Sequence, residues 1–190
     1  MENLRNPFLM MVLVYSGLLG FAQDEDMQQA WMKSMMPGEP HAKMAKMVGE
    51  WDVVSKVWMD PASPPMESKA TTTFKMILGG RYLQQELTGN MMGMEFSGIG
   101  TEAYDNVRGV YLGTWIDSMG TSITYSEGSY DEATKILHFK GSMTDVMAGG
   151  VAPYRYTQEM KDDDTMVFTM YNTVEGQEMK TMEMIYTRKK

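Results

Sequence analysis

The sequence predicts a mainly β protein: a single antiparallel, up-and-down β-barrel of about ten strands, with short N-terminal helices. Three observations predict it. From residue 50 onward, apolar residues alternate with polar ones, which is the period of a strand with one buried face. Short turn-forming stretches recur throughout this part of the chain, and no helical pattern lies between them. A sheet of so many antiparallel strands loses its exposed edges when it closes on itself.

The first 22 residues are typical of a cleaved secretory signal peptide. Arg5 supplies the cationic start, residues 8–19 form an apolar run, and Gly20 and Ala22 are the small residues of a cleavage site after Ala22. The apolar run is shorter than the roughly 20 residues that a membrane span needs. We therefore expect residues 1–22 to be removed and the mature protein to be periplasmic or secreted, without a membrane span.

Two short helices are predicted before the first strand. Residues 23–36 carry acidic side chains first, which suits a helix dipole, and apolar residues recur there with helical spacing at Met27, Trp31 and Met35. Residues 40–48 form the second candidate, with Pro40 in its first turn and Gly49 as its stop signal. The predicted organisation is a signal peptide at 1–22, an N-terminal helical segment at 23–36 and one barrel domain at 37–190.

The strand candidates follow in order and are separated by turn-forming residues. Their limits are 51–59, 66–78, 81–89, 94–104, 110–117, 121–130, 136–143, 154–160, 165–173 and 178–188. Glycines in the fourth candidate allow a curved strand to bend. The tight turns between neighbours favour a meander in which each strand pairs with the next.

The acidic composition limits the partners. The formal net charge is −8 and the pI is near 4.8, whereas nucleic acids and anionic membrane surfaces are bound by basic patches. The chain has no cysteine, which excludes disulfides, zinc–thiolate sites and cysteine nucleophiles. The chain has only two histidines, which makes a histidine-rich metal site or a Ser/His/Asp triad improbable. We expect a small-molecule partner and no nucleic acid, and the oligomeric state is left open.

Three residues indicate how the barrel closes. Gly49 and Trp51 stand where the helical pattern changes to the strand pattern, and Arg188 ends the last strand candidate. If the first and last strands pair, the guanidinium of Arg188 can lie on the indole of Trp51, a cation–π contact worth about 1 kcal/mol. This arrangement resembles the calycins, which include lipocalins, fatty-acid-binding proteins and nitrobindins. The resemblance implies that Trp51 plugs the closed end and that any pocket opens at the other end.

The stretch from Pro37 to Arg188 resembles a bacterial family known as domain of unknown function 1579. The segments that carry the resemblance are, in order, PHAKMAKMVGEWDV, MILGGRYLQQEL, GIGTEAYDN, TWIDSMGTSI, SEGSYDE and MEMIYTR. They are spread over nearly all of the predicted mature chain. The resemblance implies a calycin-like barrel, and it implies no catalytic residue, because the family has no established site.

Two groups of side chains are candidate ligand-binding residues. Trp115 and Asp117 share a strand face, where a carboxylate beside an aromatic ring can orient a polar ligand head or act as a general base. The alternative is a hairpin in which Asp117 bonds the turn backbone. The second group consists of Tyr82, Gln84, Glu86, Tyr125 and Glu127. They line a partly polar cavity if their faces point inward. If Leu83 and Leu87 point inward, the first three face solvent, and both registers stay open.

The 24 methionines are the most unusual feature of the composition. Thioethers are ligands of Cu(I), but methionine also fills irregular cores and adaptable pockets. Met91, Met92 and Met94 form either a mobile lid over the barrel mouth or an ordinary turn. By resemblance to nitrobindin-like barrels, His138 could ligate haem iron; the alternative is a surface position. We expect no cofactor, and haem and Cu(I) are kept as alternatives.

We expect the chain to be a binding module for a small apolar or amphipathic ligand rather than an enzyme. One alternative is an enzyme that uses an internal carboxylate, such as Asp117 or Glu127, as acid or base on a small hydrophobic substrate. The other is a structural envelope protein with a filled barrel. A raised carboxylate pKa inside a cavity favours the enzyme. A cavity lined only by methionine, aromatic and hydroxyl side chains favours binding, and a barrel without a cavity excludes both.

Overall fold

The computed structural model of the chain describes residues 24–60, 62–91, 93–146, 149–174 and 176–190. The predicted signal peptide, residues 1–22, lies outside the described residues. The chain divides into two units, Met1–Met36 and Pro37–Lys190. In the first unit, residues 24–35 form a helix, α1. Among the described residues, no helix is long and apolar enough to cross a membrane.

The second unit begins with a short helix, α2 (Glu39–Ala45). At its start, Nδ1 of His41 accepts a hydrogen bond from the backbone N–H of Gly38 (3.0 Å). Burial lowers the pKa of His41, which favours the neutral form that can accept this bond. The helix ends earlier than predicted, because the residues after Ala45 form a turn. Gly49, expected as the helix stop, is instead the first residue of the first strand.

Ten strands follow in the described residues, and each is antiparallel to its neighbours in the chain. They are β1 (Gly49–Val57), β2 (Met66–Ile77), β3 (Tyr82–Met91), β4 (Met94–Asp105), β5 (Val110–Asp117), β6 (Thr124–Asp131), β7 (Ile136–Asp145), β8 (Gly150–Met160), β9 (Thr165–Val174) and β10 (Gln177–Arg188). β1 also pairs with β10, so the sheet is a closed barrel. The prediction of a single up-and-down barrel is confirmed.

The closed end of the barrel is built around Trp51, whose side chain has no solvent exposure. Trp51 lies opposite Arg188 in the pairing of β1 with β10, and the guanidinium carbon stands 4.0 Å from the centroid of the indole. The indole Nε1 donates a hydrogen bond to the carbonyl of Met47 (2.9 Å). The predicted contact between the first and last strands is therefore present.

Arg188 also joins the end of α2 to the barrel. Its Nη1 donates to the carbonyl of Val48 (2.6 Å) and its Nη2 donates to the carbonyl of Lys46 (2.7 Å). These carbonyls follow the helix and need partners from outside it. Gly49 makes the approach possible, because a Cβ atom there would lie 2.8 Å from Nη1 of Arg188. The φ of Gly49 is +134°, which side-chain-bearing residues rarely adopt.

We expect Arg188→Met to lower the free energy of unfolding by about 2 to 4 kcal/mol, because it removes the cation–π contact and leaves two carbonyls unpaired. Urea unfolding followed by circular dichroism measures the loss. Arg108→Met is the control, since Arg108 is an exposed arginine that pairs with Glu127 on the outer surface, and its effect should be much smaller. Equal losses in both variants would contradict the role of Arg188 in closure.

Candidate functional site

The barrel encloses a cavity of about 290 Å³. Most of its wall is apolar, with aromatic rings from Phe74, Phe96, Trp115, Tyr154, Tyr156, Phe168 and Tyr186 and thioethers from Met91, Met119, Met143, Met166, Met170, Met182 and Met184. Trp51 does not line it. Met91 is the last residue of β3 and Met119 follows the end of β5. Both strands run parallel to β1 and therefore finish opposite the closed end. The cavity thus extends away from Trp51.

Trp115 on β5 lies against a glycine of β4. A Cβ atom at Gly98 would lie 2.1 Å from the indole ring, so only glycine leaves room for the ring there. The indole is stacked with the ring of Phe96, with 6.5 Å between centroids. Its Nε1 donates to Oδ2 of Asp117 (2.9 Å), and Oδ1 of Asp117 accepts from the backbone N–H of Met119 (2.9 Å). Asp117 therefore supports both the cavity wall and the turn after β5.

The most unusual group in the wall is the carboxyl of Glu102 on β4. Its Oε1 accepts a hydrogen bond from Nε2 of Gln158 on β8. Its Oε2 is buried and has no partner among the described residues. Burial raises the pKa of Glu102 from 4.5 to about 7, and the hydrogen bond from Gln158 opposes part of this rise. The carboxyl can therefore gain or lose a proton near neutral pH.

One amide atom of the wall, Oε1 of Gln158, is like Oε2 of Glu102 buried without a partner in the described part of the chain. An unpaired buried polar atom costs about 1 to 3 kcal/mol. A molecule in the cavity that pairs with these atoms therefore gains favourable interactions with groups that the fold leaves unsatisfied.

A phenol completes the polar part of the wall. The hydroxyl of Tyr156 on β8 lies 3.1 Å from Oγ of Ser126 on β6. Gly113 gives it space, because a Cβ atom there would lie 2.5 Å from the hydroxyl oxygen. The ring stacks on Phe139, with 4.5 Å between centroids. Burial, reinforced by the nearby Glu102, raises the pKa of Tyr156 well above its ordinary value, so the phenol stays neutral.

Of the residues predicted to line a cavity, Trp115 and Asp117 do so. Tyr82, Gln84 and Glu86 do not line it, and Leu83, Gln85 and Leu87 take the inner face of β3 instead. On the outer face, Glu86 accepts a hydrogen bond from Nζ of Lys75 (2.6 Å). Of the two registers left open, the structure therefore has the one in which Leu83 and Leu87 point inward. Burying the two leucines removes more apolar surface from water, while the charged pair stays hydrated.

Tyr125 and Glu127 also lie on the outer face, on β6. The hydroxyl of Tyr125 donates to Oε1 of Glu127 (2.7 Å), and Nη2 of Arg108 donates to Oε2 of Glu127 (2.5 Å). Of the two registers left open, the structure has the one that keeps these two side chains outside the cavity, because enclosing the ion pair would remove its hydration. Ser126, which lies between them in the sequence, is small enough to face the crowded interior and lines the cavity.

Two cofactors were kept as alternatives, haem at His138 and Cu(I) at the methionines. His138 is exposed while Leu137 and Phe139 beside it are buried, so its side chain points away from the cavity that haem would need. The lining methionines occupy positions that suit an adaptable apolar wall, and the expectation of no cofactor, with Cu(I) as the alternative, stays untested. Within the described ranges, no group of three or more histidine or acidic residues is arranged to hold a metal ion.

The three methionines of the candidate lid do not share one location. Met91 lines the cavity and Met94 is exposed, while Met92 lies outside the described residues. The mobile lid and the ordinary turn therefore both stay open.

Sequence reasoning missed Glu102 and Gln158. A signal for Glu102 was present, because Phe96 and Tyr104 share its strand face together with two glycines, whereas the other face carries Glu95 and Ser97. Aromatic ends around small residues are typical of an inner barrel face. A comparable signal marks Gln158, since Tyr154 and Tyr156 share its face of the strand, whereas the other face carries Arg155, Thr157 and Glu159.

A larger and more open depression of about 960 Å³ lies across the outer wall of β1 to β4. Charged and hydroxyl side chains such as Asp52, Lys69 and Thr88 line much of it. Within the described residues, none of its side chains has a buried polar atom without a partner. The inner cavity is therefore the stronger candidate site.

The sequence model of a family described as "Protein of unknown function (DUF1579)" matches residues 36–188. No curated protein matches the chain significantly. Among solved structures, the crystal structure of Rv2717c from M. tuberculosis is similar, with a TM-score of 0.61 and 14% identity over 81% of this chain and 100% of that one. The S-type phycobiliprotein lyase CPES from Guillardia theta has a TM-score of 0.55 and 10% identity over 84% and 96% of the two chains. These similarities show a shared barrel of the calycin-like type.

The raised pKa of the Glu102 carboxyl predicts that the free energy of unfolding depends on pH. Between about pH 4.5 and pH 7 the unfolded chain has released the proton of Glu102 and the folded chain retains it. The folded state is therefore favoured below this range and loses stability as the pH rises through it. From about pH 5 to pH 8, we expect the free energy of unfolding to fall by about 2 kcal/mol more in the wild type than in Glu102→Gln.

Urea unfolding at the two pH values measures this difference. Glu86→Gln removes an outer-face carboxyl and should follow the wild type. Parallel behaviour of the wild type and Glu102→Gln would contradict a buried, proton-retaining carboxyl.

Proposed function

The chain belongs to the DUF1579 family of proteins of unknown function, and we propose that it is a binding module whose barrel holds one small apolar or amphipathic molecule. The observation that carries the proposal is the inner cavity. Its volume of about 290 Å³ is at the lower end of the range for ligand pockets. Its wall combines a large apolar area with a few unpaired polar atoms, which is the composition typical of ligand sites.

The presence of this cavity argues against the filled barrel of a purely structural protein. A ligand with an apolar body would bury its surface against the methionine and aromatic side chains. Methionine side chains adapt their shape to a ligand more readily than branched ones. A polar group on the ligand would pair with the unsatisfied atoms of Glu102 or Gln158.

A second candidate function is an enzyme that uses Glu102 as a general acid or base. The observation that favours it is the raised pKa of a carboxyl inside the cavity, which suits proton transfer near neutral pH. Of the carboxylates expected in this role, Glu127 lies outside the barrel and Asp117 has both oxygens occupied by hydrogen bonds. Glu102 takes their place in the hypothesis, with Tyr156 as a neutral hydrogen-bond donor nearby.

We expect the chain, purified without denaturant from cells that produce it, to carry a small molecule that native mass spectrometry detects and that denaturation releases. Met143→Trp narrows the cavity from its wall and should reduce the fraction of loaded protein. Thr144→Trp is the matched control, because the neighbouring side chain is exposed and lies on the other face of β7.

Circular dichroism establishes that both variants are folded. An unloaded wild type, or equal loading of the two variants, would contradict the binding proposal. If the released molecule is changed chemically when it is returned to the wild type but not to Glu102→Gln, the enzyme replaces the binding module as the better function.

Export of the chain is also a proposal, and the sequence of residues 1–22 supports it. We expect the protein recovered from cells that export it to begin at Gln23, because cleavage after Ala22 follows the small residues at that site. N-terminal sequencing of the purified protein, with cell fractionation, tests this. Recovery in the cytoplasm with residues 1–22 still attached would contradict export.

A further inference from the structure

The charges in the cavity wall are of one sign. Glu102 and Asp117 line the cavity, and none of its lining residues in the described part of the chain is a lysine, arginine or histidine. An anionic ligand would therefore enter a low-dielectric space without a cation to meet it, which is strongly unfavourable. A ligand of positive charge would find a carboxyl there.

The unpaired polar atoms of the wall also favour a ligand of positive charge. Because Gln158 donates its amide N–H to Oε1 of Glu102, the amide oxygen of Gln158 and Oε2 of Glu102 belong to one hydrogen-bonded pair, and both oxygens lack a donor among the described residues. An ammonium group has several N–H donors and no acceptor, so it has a donor to offer to each of these oxygens. The amide of Gln85, which hydrogen-bonds the hydroxyl of Tyr186, is neutral and does not alter the charge balance.

Asp117 is a weaker anchor than Glu102. Its Oδ2 already accepts a hydrogen bond from the indole of Trp115 and its Oδ1 from the backbone of Met119. The rest of the wall suits a cation as well, since the faces of aromatic rings such as Tyr154 and Phe168 attract positive charge.

From this arrangement we infer that the ligand of the cavity is a small organic ammonium ion. Its charged nitrogen binds between Oε2 of Glu102 and Oε1 of Gln158, and its apolar body lies against the aromatic and methionine side chains. The inference rests on the proposed binding function and adds the chemical class of the ligand.

Three probes of similar size and different charge test the inference: benzylamine as the cation, benzyl alcohol as the neutral molecule and benzoate as the anion. Isothermal titration calorimetry at about pH 8 measures their affinities for the purified full chain, with the carboxyl of Glu102 largely ionised. We expect the wild type to bind benzylamine about tenfold or more tightly than benzyl alcohol, and benzoate most weakly, because a hydrogen bond to a charged group is worth more than a neutral one.

Glu102→Gln should lose most of the preference for benzylamine and keep its affinity for benzyl alcohol. Glu86→Gln makes the same change of net charge on the outer wall and should keep the preference. If Glu86→Gln loses the preference as fully as Glu102→Gln does, the preference reflects overall charge and the inference is wrong.

The affinities of the three probes for the wild type test the inference even if a variant does not fold. If benzyl alcohol or benzoate binds as tightly as benzylamine, the ammonium class is wrong while the binding function is supported. Failure of all three to bind would also overturn the ammonium class, and the binding function is then judged separately by the native mass spectrum of the chain and its Met143→Trp and Thr144→Trp variants.

Discussion

The pairing of β1 with β10 closes the barrel, the contact of Arg188 with Trp51 holds the two strands together at one end, and the enclosed interior depends on that closure. An antiparallel meander has two free edges unless its first and last strands pair. Here one guanidinium lies on the indole of β1 and donates to the carbonyls of Lys46 and Val48, so a single side chain joins the helix, the first strand and the last strand. The sheet then has no edge, and its inner face is separated from solvent at this end.

Enclosure changes the chemistry of the groups inside. The carboxyl of Glu102 would ionise in the acidic range if water surrounded it, but the barrel wall removes that water and favours the neutral form. The same wall leaves an oxygen of Gln158 without a donor. Neither feature stabilises the fold, and a carboxyl with a raised pKa in a cavity is typical of a functional site.

Binding of a cation and acid–base catalysis make different demands on Glu102. A bound cation favours the ionised carboxyl and would lower its pKa from the value in the free protein. Proton transfer instead needs a carboxyl that changes its protonation state during the reaction. Both uses rely on the same packing, in which glycines such as Gly98 and Gly113 give space to the indole of Trp115 and the phenol of Tyr156.

The sequence by itself determined the antiparallel barrel and the closing residues Trp51 and Arg188, because alternation, turns and chain order are local features that suffice for an up-and-down meander. It did not decide which face of β3 lines the cavity, since a shift of one residue exchanges Leu83 for Gln84 and turns every side chain over. It also gave no sign that Glu102 meets Gln158, which lies 56 residues away. Only the closed barrel decides such pairs, because β4 and β8 are not neighbours in the sheet and meet across its interior.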